Sequence, residues 1–242
     1  MLRSWGENKM DSFQKRKQDV LSKNDKSSKQ SWDEKISKLC EKINSLENYY
    51  TTSSCAGRVV IMLDKDKKQQ GLFLNVYHDL ISLEQIKESL KQIALPLLPT
   101  SLVDNSPFVS RNCSGSVSNK QLMKNPDDND DLAEKSGEAD FGADNIIKFK
   151  QEPCILHVAC ESLEDAQRLL DKAKLAGWKR SGIIASDKRF VCELNGTEKL
   201  EFPIIKDGKL LVGNEFLELI VKRCNENLEK SWEKIDKLFS LL

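Results

Sequence analysis

One short stretch constrains this chain more than any other: Tyr50-Thr51-Thr52-Ser53-Ser54-Cys55-Ala56-Gly57-Arg58, followed at once by Val59-Val60-Ile61-Met62-Leu63. The apolar run belongs in a core as a strand. The row of hydroxyls and a thiol before it cannot drive burial, because each hydroxyl left unpaired in a core costs about 1–3 kcal/mol. Something has to satisfy them. Gly57 permits close backbone approach or a positive φ, and Arg58 offers a planar, permanently charged fork to a carboxylate or phosphate. The stretch reads as a polar pocket wall leading into a strand. The alternative is a Ser/Thr-rich turn whose hydroxyls bond their own backbone.

Periodicity supplies the elements around it. A short helix is expected over Asp11 to Leu21. Residues 32–46 put Ile36, Leu39, Cys40, Ile43 and Leu46 at helical spacing behind Ser31 or Asp33 as cap, which predicts an amphipathic helix lying on a sheet. Strands are expected at 57–63 and 71–77, paired as a hairpin through the charged turn 64–68, with His78 and Asp79 at the end of the second. Ser82 and Gln85 make a capping box for a helix over about 82–94 with Leu83, Ile86, Leu90 and Ile93 inward, and Pro96 and Pro99 stop it. Order returns at Phe149, and residues 154–160 are β-like. A helix over about 162–176 turns Leu163, Ala166, Leu169, Leu170 and Ala173 inward, with Gly177 at its C-cap. Strands follow at about 180–186, 189–194 and 198–204, the last two read as a hairpin through Asn195-Gly196; Asp207-Gly208 is a further turn. From Asn214 or Glu215 a long helix carries Phe216, Leu219, Ile220, Leu228, Ile235 and Leu238, with a bend or break allowed midway.

This order predicts a single α/β domain with a mixed, largely antiparallel sheet and flanking helices. No strand ends in a GxGxxG loop, so a Rossmann unit is unsupported. Residues 1–31 read as a polar, partly disordered N-terminal segment. The α/β domain spans 32–242, interrupted at about 97–145 by an insertion too rich in Ser, Asn and Asp to offset its ordering entropy, hence expected to be disordered. Within 101–144, nine acids face four Lys/Arg, a net of −5.

Charge and cysteine usage narrow the function classes. The 242 residues carry 38 basic and 38 acidic side chains, so any nucleic-acid-binding face has to be local. Residues 1–30 provide one excess, eight Lys/Arg against four acids. Seven cysteines with no CxxC pair argue against a zinc site or a disulfide framework. No signal-peptide run and no apolar stretch of about 20 residues is present, so a soluble, cytosolic protein is expected. Only two histidines exist, His78 and His157. Cys55 is a nucleophile if an imidazole lies within reach and otherwise a small buried thiol. With no nucleophile elbow, P-loop, HExxH or paired carboxylates, the residues alone define a pocket and no reaction.

The run Tyr49 to Arg58 resembles the (S/T)xSSCxGR signature of the tRNA wybutosine-synthesizing protein 3 family. Other landmarks follow in the same order: Asp33, Asn44-Ser45, His78 after a strand, Glu152-Pro153 and His157-Val158 in the pattern EPxxLHV, Gly177-Trp178, Ser181-Gly182-Ile183, Pro203 and Gly208-Lys209-Leu210. The resemblance covers roughly 12–95 and 146–240. Phe73 stands where members often have Trp, and Asp79 where a basic residue is usual. What it implies is an S-adenosylmethionine-dependent methyltransferase with a non-Rossmann fold, methylating N4 of a tricyclic guanosine derivative at position 37 in the anticodon loop of phenylalanine tRNA, acting as a monomer without a membrane. The implied catalytic residues are Ser54, His157, Asp33 and His78, with His157 first choice for proton handling and Asp33 for the cofactor's ammonium or ribose. The implied cofactor wall is Thr52, Ser53, Ser54, Cys55, Gly57 and Arg58, where Cys55 packs and Arg58 pairs with a carboxylate. For tRNA, the basic start, the 65–68 turn, Lys179-Arg180 and Lys188-Arg189 are expected to meet phosphates, and Trp178 or Tyr50 to stack on bases. The competing classes are a tRNA-binding module without chemistry and a Cys55/His thiol enzyme.

Overall fold

Apolar stripes of period 3.6 and period 2 alternate along the chain, and each becomes the element its period requires. In the computed structural model the order is α1 (Ser12–Leu21), α2 (Glu34–Ser45), β1 (Tyr49–Cys55), β2 (Arg58–Leu63), β3 (Phe73–Tyr77), α3 (Leu83–Ala94), β4 (Ile146–Glu152) and β5 (Ile155–Cys160), then α4 (Leu163–Leu175), β6 (Gly182–Ser186), β7 (Arg189–Asn195), β8 (Leu200–Lys206), β9 (Lys209–Leu210) and α5 (Asn214–Leu241). The structure describes residues 12–22, 33–65, 72–94, 146–186 and 189–242. Ser31, Lys188, most of the 64–68 turn and the expected insertion lie outside these.

The α/β class with antiparallel pairing is borne out, but the strands divide into two sheets. One has the order β1-β5-β7-β6 and the other β3-β2-β4-β8-β9, and every described pairing is antiparallel. Three times the chain steps from one sheet to the other: between Cys55 and Arg58, between Glu152 and Ile155, and between Asn195 and Leu200. The register aligns these steps. Cys55 lies opposite Ile155 and Ile155 opposite Asn195 in the first sheet, while Arg58 lies opposite Glu152 and Gln151 opposite Leu200 in the second. The three crossovers therefore form one seam, tied by Gly196 N–H donating to the Cys154 carbonyl at 3.0 Å.

Helices α2 and α4 cover the inner face of the first sheet through Ile36, Leu39, Cys40, Ile43, Ala166, Leu169 and Ala173, all buried. Helix α3 covers part of the second. Helix α5 is continuous over 28 residues, about 42 Å at 1.5 Å per residue, and serves both cores. Leu217, Ile220, Cys224 and Leu228 pack on the second sheet, and Ile235 and Leu238 on the first. Under the seam it adds polar groups. Asn227 donates to Gln151 Oε1 at 2.9 Å, and Gln151 Nε2 donates to the carbonyls of Glu152 and Glu198, so a fully buried amide is satisfied.

Several expectations need correction. Asn195-Gly196 is a crossover between sheets and no hairpin turn, because β7 pairs with β5 and β6 while β8 pairs with β4. Leu163, Phe216 and Leu219 are exposed, since each falls beside the buried stripe of its helix. Trp178 is fully buried and its Nε1 donates to the Lys234 carbonyl at 3.1 Å; Tyr50 is buried with Phe13 at 5.2 Å. Neither ring is available for a base to stack on. The capping box at α3 is present, with Ser82 N–H to Gln85 Oε1 at 2.8 Å and Gln85 N–H to Ser82 Oγ at 3.1 Å.

Candidate active site

The hydroxyl-rich stretch is neither loop nor turn but strand β1, the edge of the first sheet. Its side chains are satisfied by neighbours on two elements, α2 and β5. Thr51, facing α2, accepts from Asn44 Nδ2 through Oγ1 at 3.0 Å, and its N–H donates to Asn44 Oδ1 at 2.7 Å. The register skips Thr52, a bulge that sets Ser53 opposite His157. Thr52 Oγ1 donates to the His157 carbonyl at 3.4 Å. Ser54 falls opposite Leu156 on the core face, where its hydroxyl meets the Cys40 thiol.

At the end of β1 a first cluster gathers. Asp33 stands at the N-cap of α2, yet its side chain makes no cap hydrogen bond. It turns to the crossover instead, where Oδ2 accepts from Ala56 N–H at 3.1 Å. Its Oδ1 lies 3.0 Å from Nδ1 of His78, delivered by the end of β3. That contact is an ion-pair approach without hydrogen-bond alignment, and the buried Nδ1 has no hydrogen-bond partner among the described residues. Cys55 completes the group: donor atoms of Asp33, Cys55 and His78 fall within 4.8 Å of one another. Burial pushes the Cys55 thiol up to about 11. The depression beside His78, about 280 Å³, is lined by Val76, Tyr77, Asp79, Leu80 and Gln85 as well.

Gly57 follows with φ +101°, and a Cβ there would meet Leu228, the Glu152 carbonyl and Cys154. The fold by itself demands glycine there. Arg58 Nε donates to Glu152 Oε2 at 2.6 Å across the β2–β4 register, and the guanidinium lies 5.4 Å from the Phe73 ring. Burial works to raise the Glu152 carboxyl, but hydrogen bonds from Lys150 and Arg58 outweigh it and hold it below its usual range. Arg58 therefore already has a carboxylate partner, and a ligand is left with its terminal nitrogens.

The second cluster lies on the outer face of the first sheet. Ser53 Oγ is 2.7 Å from His157 Nδ1, and His157 Nε2 is 3.1 Å from Glu193 Oε2. These three side chains sit in register on β1, β5 and β7. Ser53 and Cys55, two residues apart on an extended strand, are about 7 Å apart, so the clusters adjoin. Of the candidates read from the sequence, Asp33, Cys55 and His78 meet at the seam, and Ser53 and His157 meet beside it. Ser54 does not reach either imidazole, and Glu193 was not foreseen. An acid inside Phe190-Val191-Cys192-Glu193-Leu194 reads as an ordinary solvent-facing strand position; only the strand order sets it beside a histidine.

The family described as "Methyltransferase TYW3" matches residues 14–242. A tRNA wybutosine-synthesizing protein 3 homolog of Xenopus laevis is 33% identical over 235 residues, covering 97% of this chain and 76% of that protein. A protein of Thermococcus sibiricus named tRNA(Phe) 7-((3-amino-3-carboxypropyl)-4-demethylwyosine(37)-N(4))-methyltransferase is 30% identical, covering 92% of this chain and 90% of its own. Among solved structures, the PH1069 protein of Pyrococcus horikoshii superposes with a TM-score of 0.65 at 28% identity, covering 94% of this chain and 92% of that one.

Proposed function

The chain belongs to the TYW3 methyltransferase family, and from that premise we propose that it methylates N4 of the 7-(3-amino-3-carboxypropyl)-4-demethylwyosine at position 37 of phenylalanine tRNA, the reaction for which its relatives are named. The observation that carries this reading is the pair of adjoining clusters at the seam. Two imidazoles, each beside a carboxylate, flank the end of one strand. N-methylation asks little else of a protein: donor and acceptor held in line, and one proton taken away.

S-adenosylmethionine is the methyl donor in this proposal. The fit rests on His78 Nδ1, a buried polar atom without a hydrogen bond among the described residues and beside an open depression, and on the Asp33 carboxylate, an acceptor suited to an ammonium or ribose hydroxyls. Arg58 would offer its terminal nitrogens to a carboxylate. When bound, the donor's sulfonium supplies an already activated methyl group. His157, on the neighbouring face, handles the proton. The anticodon loop approaches that face, with phosphate contacts from exposed Lys65, Lys179 and Arg180, so affinity should fall steeply with salt. The protein acts as a cytoplasmic monomer in this reading. No helix among the described residues is long and apolar enough to cross a membrane.

The deciding experiment is mass analysis of position 37 in phenylalanine tRNA from cells lacking the protein. The base lacking the N4 methyl should accumulate, and a mature base in those cells would refute the assignment. Stabilisation by S-adenosylmethionine tests the donor: at about 100 times Kd the gain is ~2.7 kcal/mol, and no shift at saturating concentration would exclude it.

A further inference from the structure

We propose that Glu193 is a positioning residue for the methylation, and that with His157 and Ser53 it forms a one-directional proton relay across strands β1, β5 and β7. This rests on the function proposed above and adds to it the route of the proton.

The direction follows from hydrogen-bond chemistry. A carboxylate only accepts, so the 3.1 Å contact between His157 Nε2 and Glu193 Oε2 requires the hydrogen on Nε2. In the neutral ring Nδ1 is then bare, and the 2.7 Å contact makes the Ser53 hydroxyl the donor to it. Ser53 thus turns its hydrogen inward and its free lone pair outward. Remove the carboxylate and either tautomer becomes possible, including one that aims an N–H at Ser53.

Two features hold this arrangement. The Thr52 bulge puts Ser53, and not Thr52, opposite His157, and the Thr52 hydroxyl ties down the His157 backbone. Beyond Glu193 the next residue in the row is Gly182, where a Cβ would meet nothing within 4 Å among the described residues, so the face is open there. His157 and Glu193 side chains are 26% and 40% exposed, which lets a captured proton leave to water. By contrast, the His78–Asp33 contact is misaligned for transfer.

The chemistry balances. The demethyl base carries a hydrogen on N4 where the product carries a methyl group. As the nitrogen's electron pair forms the N–CH3 bond, the methyl's bond to the donor's sulfonium sulfur would break to leave a neutral thioether; the N–H bond breaks and that proton goes to Ser53 Oγ, while Ser53's own proton passes to His157 Nδ1. Ser53 ends unchanged, the ring becomes imidazolium beside the Glu193 carboxylate, and water later takes the proton.

The test combines a resting-state signature with a kinetic cycle. In protein carrying 15N-labelled histidine, the neutral His157 ring should show Nε2 protonated and Nδ1 bare, and Glu193→Gln should lose that single-tautomer signature. The opposite tautomer in the unaltered protein overturns the relay whatever the tRNA assay gives. With substrate tRNA, Glu193→Gln and Ser53→Ala should each lower kcat about 10- to 100-fold with KM within about twofold. The double variant should be no worse than the poorer single, because the groups act as a unit. Unchanged kcat in Glu193→Gln, or multiplicative losses in the double variant, refutes the proposal. Melting curves within about 1 °C of the unaltered protein show that folding is not the cause. An unaltered protein that leaves the tRNA unmethylated refutes the function, while the tautomer measurement still judges the relay.

Discussion

Gly57→Ala perturbs the seam at its tightest point. The residue has φ +101°, and an added Cβ would stand 3.2 Å from Leu228 Cδ2, 3.3 Å from the Glu152 carbonyl oxygen and 3.5 Å from the Cys154 nitrogen. The leucine methyl can rotate away. The carbonyl cannot, because Glu152 is fixed in the β2–β4 pairing opposite Arg58. Holding a non-glycine residue at such a φ costs about 1–3 kcal/mol, and crowding against backbone adds about 1 kcal/mol. Together they predict a loss of about 2–4 kcal/mol, or a fall in Tm of roughly 5–15 °C for a chain of this size. Urea titration followed by far-UV circular dichroism measures it, with Gly182→Ala as control, where the added methyl meets open space and the change should stay within about 0.5 kcal/mol. If Gly57→Ala costs no more than the control, the seam is not held by close backbone approach, and its role in aligning Asp33, Cys55 and Arg58 falls with it.

Two further outcomes follow from titration. With its thiol near 11 through burial, only about one Cys55 in a thousand is thiolate at pH 8, so iodoacetamide should spare it in the native protein and alkylate it in urea. Cys55→Ser should then keep most of the activity; complete loss with S-adenosylmethionine binding intact would reinstate a thiol mechanism. Hydrogen bonds from Lys199 and Lys148 hold Glu201 down at about 2, from an ordinary 4.5. A depressed carboxyl stabilises the fold above its ordinary value and loses that contribution as pH falls toward the folded one, so Glu201→Gln should flatten the decline of Tm between about pH 4.5 and 2. For so exposed a group the effect is a few tenths of a kcal/mol, and an acid decline identical in both proteins would remove Glu201 from the account.

Where the chemistry is local, the sequence was a good guide. Helices α2, α3 and α4 lie within two residues of their expected bounds, because periodic apolar residues and a cap are written side by side. The residues bearing the resemblance also proved to be neighbours in space, with Asp33 bound to Ala56 and Ser53 to His157. In sequence alone β1 looks like a pocket wall or turn, because its stability comes from pairing with β5 about a hundred positions away and from Asn44, neither visible in a run of hydroxyls. The start of β4 carries no local signal for a similar reason: Ile146-Ile147-Lys148 gains its strand character from β2 and β8 on either side. Asn195-Gly196 shows the converse error. It carries a strong local turn signal, yet the two strands it joins find better partners elsewhere.

Each sheet draws strands from both sides of the chain's middle: β1 borders one, β2 and β3 complete the other, and the remaining strands among the described residues begin at residue 146 or later. During synthesis, then, β1 and the open edge of the β2–β3 pair emerge from the ribosome long before their mates β5 and β4 exist. Little of the enclosing scaffold can form until β7 and β8 are made, and closure by such distant partners is slow, on the order of milliseconds to seconds. A nascent chain should stay vulnerable to proteases and dependent on chaperones until β7 and β8 have emerged, and then gain catalytic competence abruptly.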